Sequence, residues 1–247
     1  IRVSLRPGIF FADDPAFKGQ RRELIAQDYV YSIKRHYDPR WRSASLGTFE
    51  EYLVGLRELR AQALRSGRFD YDTEVEGLRA IDRYTFEMRL AKPNFVMVYA
   101  LAECRASCAV AREVIEAYGD KIMEHPVGTG PFRLGAWRRA SRIVLERNPL
   151  WRDVRYHAEP AEGDEEGRRI AAALEGRRLP MVDRVEIAII DEGQPTWLAF
   201  LNAEADVVSL PDEFLQAAVP GGQLAPHLAR RGVQAHALPL PATYYTM

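Results

Sequence analysis

The chain has 247 residues, 47% of them hydrophobic, with 34 Lys and Arg against 35 Asp and Glu and a net charge of −1. This balance gives no support for a polyanionic partner such as nucleic acid, and no run approaches the roughly 20 apolar residues that span a bilayer. The composition predicts a globular protein with one large core or two small ones. Because the chain starts at Ile1, already inside a strand pattern, we expect an internal piece of a longer protein.

The N-terminal part predicts a strand followed by a helix. Residues 1–6 alternate between apolar and polar side chains, which is the period of a half-buried strand. Residues 25–38 carry an apolar stripe at four-residue spacing. Its members are Tyr29, Ile33 and Tyr37. The Asp38-Pro39 step should end this helix, because the residue before a proline disfavours helical geometry.

A second helix and a hairpin are predicted next. Thr48, with Glu51 three residues later, forms the capping-box pattern, and an apolar face continues from there to Gly67. Residues 75–93 indicate two strands joined by a turn at Asp82-Arg83. We therefore expect one long helix over 48–67, followed by a hairpin whose charged side faces water.

Strands and helices also alternate in the rest of the chain. Patterns predict helical structure from residue 95, a helix closed by Gly119, strands within 134–147, a strand at 181–191, a helix and a short strand within 194–211, and a helix at 211–222. Residues 153–179, which hold a charged run and a helix candidate at 168–178, predict an exposed excursion. The alternation is typical of a mixed α/β architecture.

The segment from Pro126 to Pro131 predicts a shaped structural turn. Gly128 and Gly130 allow backbone angles that include positive φ, while Pro131 fixes φ and removes an amide donor. A phosphate-binding loop needs a helix behind it, whereas a strand pattern follows here. We therefore expect no nucleotide at this turn.

The residue patterns indicate no catalytic site, metal site or cofactor. The five histidines are scattered without metal-ligand spacing. The carboxylate clusters at 13–14 and 164–166 lie in polar runs, which are typical of a solvated surface. Ser107 and Ser141 lack the context of an activated nucleophile. Catalysis is therefore disfavoured.

The segment "ECRASC" leaves several interpretations open. Two small buried thiols are the favoured interpretation of Cys104 and Cys108. A disulfide comes second, because this spacing on a helix lies near the upper limit for bridging, and a metal or reactive site comes third. For Arg105, a surface or salt-bridged residue is the ordinary interpretation, and contact with a ligand carboxylate is the functional one.

Five segments, taken in order, resemble one family. They are 1–11, 24–39, 77–93, 111–151 and 182–207. Their order is similar to that in the extracellular solute-binding family 5 of ABC transporters, which includes the oligopeptide- and dipeptide-binding proteins. In that family, the segment that resembles "GTGPF", which holds Gly128, Gly130 and Pro131, is a structural turn leading into strands.

The resemblance implies an α/β, mixed-sheet, bilobed periplasmic-binding-protein fold of type II, here incomplete, with the ligand enclosed between two lobes by hinge closure. It implies most of the lobe-one insert and the return strands at 1–150, an exposed charged insertion at 151–182, and a crossing strand with the start of the second lobe at 183–247.

The implied function is that of a periplasmic substrate-binding component of an ABC importer. Such a protein captures peptides or a similar small solute and delivers them to ABC permease subunits in the membrane, with a signal peptide expected in the missing N-terminal part. The alternative is a ligand-sensing or enzymatic domain that reuses the same scaffold.

The resemblance also suggests candidate ligand-binding residues. The stretch from Trp41 to Thr73 is long for this family, and 153–179 is inserted. The corresponding stretch in peptide binders contributes an aromatic residue near the ligand, which implies Trp41 and Tyr52 as candidates beside Arg105. Packing in the core or on the surface is the alternative for both aromatic residues.

Overall fold

The computed structural model describes residues 1–237 and is mixed α/β. The chain forms two compact units, of which the first comprises Ile1–Trp137 and Ile143–Glu186. The second comprises Arg138–Arg142 and, among the described residues, 187–237. The boundaries that the resemblance implies, at 150/151 and 182/183, stay a prediction.

Short strands and helices alternate along the chain. The strands are β1 Arg2–Ser4, β2 Leu78–Asp82, β3 Thr85–Met88, β4 Phe132–Arg138, β5 Arg142–Arg147 and β6 Arg184–Ala188. The helices are α1 Ala26–Tyr37, α2 Leu46–Phe49, α3 Leu56–Ser66, α4 Met97–Ala102, α5 Cys104–Ser107, α6 Arg112–Tyr118, α7 Glu165–Leu174, α8 Gly193–Leu201, α9 Leu215–Ala218 and α10 Pro226–Ala229.

The first sheet has the order β1-β3-β2 and is antiparallel. Arg2 pairs with Glu87 in one ladder, and Leu78 pairs with Met88 in the other. The amide of Tyr84 donates to Asp82 Oδ1 at 2.8 Å, which closes the turn between β2 and β3. The predicted N-terminal strand and the predicted hairpin are both confirmed.

Helix α1 covers this sheet and contributes most to the core of the first unit. Val30, Ile33 and Tyr37 are buried together with Phe86 and Met88 of the sheet. Burying one such side chain stabilises the fold by roughly 1.5–3 kcal/mol. The helix begins and ends one residue inside the predicted range of 25–38, so its apolar stripe is confirmed, although Tyr29 is only half-buried.

The start of α1 is fixed by a buried ion pair. Asp28 is 3% exposed, and its carboxylate accepts from the backbone N–H of Ile25 at 2.8 Å. Arg22 donates to the same carboxylate at 2.7 Å and 3.1 Å. Burial raises the pKa of Asp28 despite this partner, which shows how strongly the site is desolvated.

The long helix predicted from a cap at Thr48 is wrong. A single turn, α2, contains Thr48, and the chain then straightens over Tyr52–Val54 to pair with residues 89–91. Helix α3 starts only after Gly55, which has a φ of 84°, and it ends at Gly67 as predicted. Pairing with a distant strand therefore overrides the local capping pattern.

The second sheet has the order β4-β5-β6. The amide of Arg147 donates to the carbonyl of Asp183 at 2.8 Å, beside an ion pair of the same two residues at 2.7 Å. The predicted strands within 134–147 and 181–191 are confirmed. Between them, residues 153–179 are mostly exposed and contain α7.

The second unit has a small core around Trp197 of α8. Trp197 stacks on Phe200 and Phe214 with ring centroids 5.6 Å and 5.8 Å apart. The short strand predicted before residue 211 is wrong, because residues 203–210 are irregular. Val208 and Leu210 still pack on this core while Val207 is 87% exposed, so the alternation of burial persists without a β-ladder.

Over the described residues, every helix is too short or too polar to cross a lipid bilayer.

Candidate ligand-binding site

Lys34 of α1 anchors the loop that follows α3. Its side chain is 3% exposed, and its ammonium donates to the carbonyls of Tyr71 at 2.9 Å and Thr73 at 2.7 Å. Burial lowers the pKa of Lys34. These two bonds hold the loop against the helix and place the side chain of Tyr71.

Ser32 and His36 anchor two further segments to α1. Ser32 Oγ accepts from the amide of Val110 at 2.8 Å. His36 lies 2.8 Å from the carbonyl of Ala106 through Nε2 and 2.6 Å from Ser43 Oγ through Nδ1. Burial lowers the pKa of His36, which favours the neutral ring, and the Ala106 carbonyl can only accept. Its Nε2–H therefore donates to the carbonyl, and its Nδ1 accepts from the Ser43 hydroxyl.

Trp41, a predicted ligand residue, is held in one orientation by a chain of hydrogen bonds. Its indole N–H donates to Tyr71 Oη at 3.0 Å, and the Tyr71 hydroxyl donates to Asp38 Oδ2 at 2.6 Å. Burial and the Asp38 carboxylate raise the pKa of Tyr71 far above its ordinary value, so the hydroxyl stays protonated. Trp41 is half-buried, so part of its ring remains open to solvent.

Two guanidinium groups lie over the Trp41 ring. Arg35 is 4.6 Å and Arg40 is 5.0 Å from the ring centroid. Arg40 also pairs with Asp120 at 2.8 Å. The side chain of Arg35 makes no hydrogen bond or ion pair within residues 1–237, and its Nε is buried. We call Asp38, Tyr71, Trp41, Arg35 and Arg40 the Trp41 cluster.

Tyr52, the second predicted aromatic residue, is mainly a packing residue in this structure. Its carbonyl accepts from the amide of Ala91 at 2.8 Å, and its half-buried ring packs against the core of the first unit. Lys92 lies 5.0 Å from the ring centroid and pairs with Glu51 at 2.9 Å. The Tyr52 ring is thus in contact with the core of the first unit and with Lys92.

Arg105 is 88% exposed at its side chain and pairs with Glu103 at 2.8 Å. It therefore matches the ordinary interpretation of a surface ion pair. The structure does not bring Trp41, Tyr52 and Arg105 together, because each contacts a different set of neighbours among the described residues.

The favoured interpretation of the two cysteines as buried thiols is wrong. Cys104 and Cys108 form a disulfide, and both lie exposed. Helix α5 ends at Ser107, and Cys108 has an extended ψ of 124°, which brings the two Cα atoms to 4.5 Å, within bonding range. In a regular helix, residues four apart do not come this close. The prediction from spacing alone therefore ranked the disulfide too low.

The predicted turn contributes its carbonyl groups to the framework. The carbonyl of Gly128 accepts from the amide of Ala12 at 2.8 Å. The side-chain Nδ2 of Asn148 donates to the carbonyl of Gly130 at 3.0 Å, and the backbone N–H of Asn148 donates to the carbonyl of Pro131 at 2.8 Å. Neither glycine has a positive φ, so that part of the expectation is wrong. These bonds support a structural role for the turn, which stays a prediction.

A cleft of about 450 Å³ lies elsewhere in the first unit. Its lining residues are Phe10, Arg21, Arg22, Glu23, Ile25, Arg83 and Glu113. Arg22 is bound to Asp28 and Glu113, and Arg83 pairs with Glu23 at 2.8 Å. Because these charges compensate one another, the cleft is a weaker candidate than the Trp41 cluster. Within residues 1–237, no three His, Cys, Asp or Glu side chains are grouped to hold a metal ion.

The sequence analysis missed Arg35, Asp38 and Tyr71. Asp38 was interpreted only as a helix stop, and Arg35 was not singled out. The acidic and aromatic residues of "FDYDTE", Phe69 to Glu74, were the available signal. Their place beside Trp41 depends on the bonds from Lys34, which no local pattern indicates.

The chain is similar in sequence to known solute-binding proteins. A sequence profile described as bacterial extracellular solute-binding proteins, family 5 Middle, matches residues 1–232. The periplasmic oligopeptide-binding protein OppA of Salmonella typhimurium is 32% identical over 132 residues, 53% of this chain and 23% of that protein. The glutathione-binding protein GsiB of Pectobacterium atrosepticum is 25% identical over 125 residues, 51% of this chain and 24% of that protein.

Among solved structures, Haemophilus influenzae OppA in complex with RPPGFSPFR has a TM-score of 0.60 at 19% identity, covering 89% of this chain and 37% of that one. This likeness confirms the predicted mixed α/β fold as part of a periplasmic binding protein. The chain spans about a quarter of the length of the two curated relatives. Since the profile matches nearly the whole chain, this chain belongs to the bacterial extracellular solute-binding proteins of family 5, a family of binding proteins and not of enzymes.

Proposed function

We propose that the protein containing this chain is the periplasmic substrate-binding component of an ABC importer that captures peptides, or a similar small solute, and delivers them to a membrane permease. The family match over residues 1–232 carries this proposal. One relative is named for oligopeptides and another for glutathione, itself a small peptide, which supports peptides as the ligand class.

The Trp41 cluster supports binding because its indole is already fixed before a ligand arrives. An aromatic ring held by Tyr71 and Asp38 loses little side-chain freedom on binding. We therefore retain Trp41 as a ligand residue. Tyr52 and Arg105 have weaker support, because their groups are engaged with Lys92 and Glu103.

In the proposed mechanism, a ligand enters between open lobes and pairs with main-chain groups, while bound water fills the space that its side chains leave. The bound ligand stabilises the closed conformation, and the closed form presents both lobes to the permease. Such a pocket tolerates varied side chains, because the ligand's backbone provides most of the binding contacts.

The test uses the full-length protein, unfolded and refolded to remove any bound ligand. Thermal midpoints are measured with peptides of two to five residues, glutathione, opines, nickel chelates and oligosaccharides. Saturating ligand at a hundredfold excess over Kd stabilises the folded state by about 2.7 kcal/mol. We expect a rise with peptides, accompanied by compaction in small-angle scattering. A rise with a different class only would replace the peptide assignment, and no rise with any class would overturn the proposal.

A further inference from the structure

We propose that Arg35 and Trp41 form a binding site for a carboxylate group of the ligand. The assignment of that carboxylate to a transported peptide rests on the proposed function. The site itself rests on contacts within the first unit.

Arg35 differs from Arg40 and Arg112 by having no anionic partner at its side chain. Arg40 pairs with Asp120 at 2.8 Å, and Arg112 pairs with Asp72 at 2.5 Å and with Glu116 at 2.6 Å. Within residues 1–237, Arg35 has no such pair. Its positive charge is therefore the one in this group that is left for an external anion.

The terminal nitrogens of the Arg35 guanidinium add a second reason. Its Nε is closed to solvent and has no hydrogen-bond acceptor, whereas Nη1 and Nη2 are not buried and have no hydrogen-bond acceptor among the described residues. The carboxylate of Asp38 is engaged with the Tyr71 hydroxyl and the amide of Arg40. An external carboxylate would therefore bind Nη1 and Nη2 and not Nε.

The stacking of Arg35 on Trp41 selects a planar anion. A guanidinium that lies over an aromatic ring keeps the N–H groups at its edge available, and their spacing matches the two oxygens of a carboxylate. The ring gives the ligand's adjoining carbon atoms an apolar surface. Trp41 is a positioning and contact residue here, since Tyr71 holds its indole and Lys34 holds the loop that carries Tyr71.

The first experiment does not depend on transport. The full-length protein is labelled with 5-fluorotryptophan, and the Trp41 resonance in ¹⁹F NMR is assigned by its absence in Trp41→Phe. N-acetylglycine and its amide are then added as matched probes. We expect the Trp41 resonance to move with the acid only, and Arg35→Gln to abolish the movement. Arg112→Gln is the matched control, because that guanidinium is saturated by Asp72 and Glu116, and it should leave the movement intact.

The second experiment compares peptides with a free C-terminal carboxylate against the same peptides as amides. Wild type should prefer the acid by about tenfold to a hundredfold, Arg35→Gln should bind both alike, and Arg35→Lys should keep part of the preference. Equal thermal midpoints of the unliganded variants would show that each is folded.

The two proposals fail in different ways. Peptide binding that is unchanged by Arg35→Gln would overturn the carboxylate site and leave the proposed function standing. A Trp41 resonance that responds to the acid through Arg35, in a protein that binds no peptide, would support the site and overturn peptide uptake. A Trp41 resonance that ignores both probes would overturn the site.

Discussion

At the scale of single residues, the first unit contains buried charged groups whose hydrogen bonds are made by specific neighbouring residues. Asp28 is matched by Arg22 and the amide of Ile25, and Lys34 is matched by two carbonyls. Removing one partner of such a pair leaves the other charge without compensation in a desolvated position, which costs more than the pair itself contributes.

Replacing Arg22 by Gln should therefore lower the free energy of unfolding by about 3–5 kcal/mol, because Asp28 stays buried without its cation. Urea titration of the chain would measure this. Arg169→Gln is the control, since Arg169 pairs with Glu166 on the exposed face of α7 and should cost at most about 1 kcal/mol. Equal losses in the two variants would contradict the role of burial.

At the scale of elements, local patterns predicted those structures that no distant pairing overrides. The stripe of α1, the stop at Asp38 and the hairpin of β2 and β3 are local, and all three are confirmed. The helix from Thr48 failed, because Leu53 pairs with Leu90 from a distant part of the chain.

The candidate site was predictable only in part, for the same physical reason. Trp41 was suggested because the corresponding stretch in peptide binders contributes an aromatic residue near the ligand. Arg35 becomes a candidate only in the folded chain, where its guanidinium lies 4.6 Å from the centroid of the Trp41 ring. The disulfide depended on where α5 ends, which a Cys spacing does not encode.

The close approach of Gly77 to the segment before α3 gives an element-scale prediction. A Cβ at Gly77 would lie 2.2 Å from the carbonyl oxygen of Val54, so Gly77→Ala must displace backbone that pairs with Arg89. We expect a loss of about 3 kcal/mol in the free energy of unfolding. Gly128→Ala is the matched control, because nothing lies within 4 Å of its added Cβ and its φ is not positive.

Thermal and urea unfolding of both glycine variants would test this. The Gly128 variant should stay within about 0.5 kcal/mol of wild type. If Gly77→Ala were equally mild, the extended segment at Tyr52–Val54 would not be held as tightly as its hydrogen bonds indicate.

At the scale of the whole molecule, the two units carry separate cores. The larger core surrounds α1, and the smaller one surrounds Trp197. Cooperative units of this kind open with their own free energies. A cavity in one core should therefore change local opening there and leave the other core unaffected.

Trp197→Ala should lower the opening free energy of residues 193–229 by about 3–5 kcal/mol, because it removes the ring that Phe200 and Phe214 stack on. Native-state hydrogen exchange would show faster exchange in α8 and unchanged protection in α1. Equal acceleration in α1 would show that the chain opens as a single cooperative unit.

The anchors on α1 share one property that bears on sequence divergence. Ser32 binds the amide of Val110, Lys34 binds the carbonyls of Tyr71 and Thr73, and His36 binds the carbonyl of Ala106. These partners are main-chain atoms, and only the contact between His36 and Ser43 Oγ uses a loop side chain. The loops can therefore exchange most of their side chains without losing their attachment. Attachment of this kind does not depend on the loop side chains, which is one way in which a fold can be shared by chains that are 19% identical.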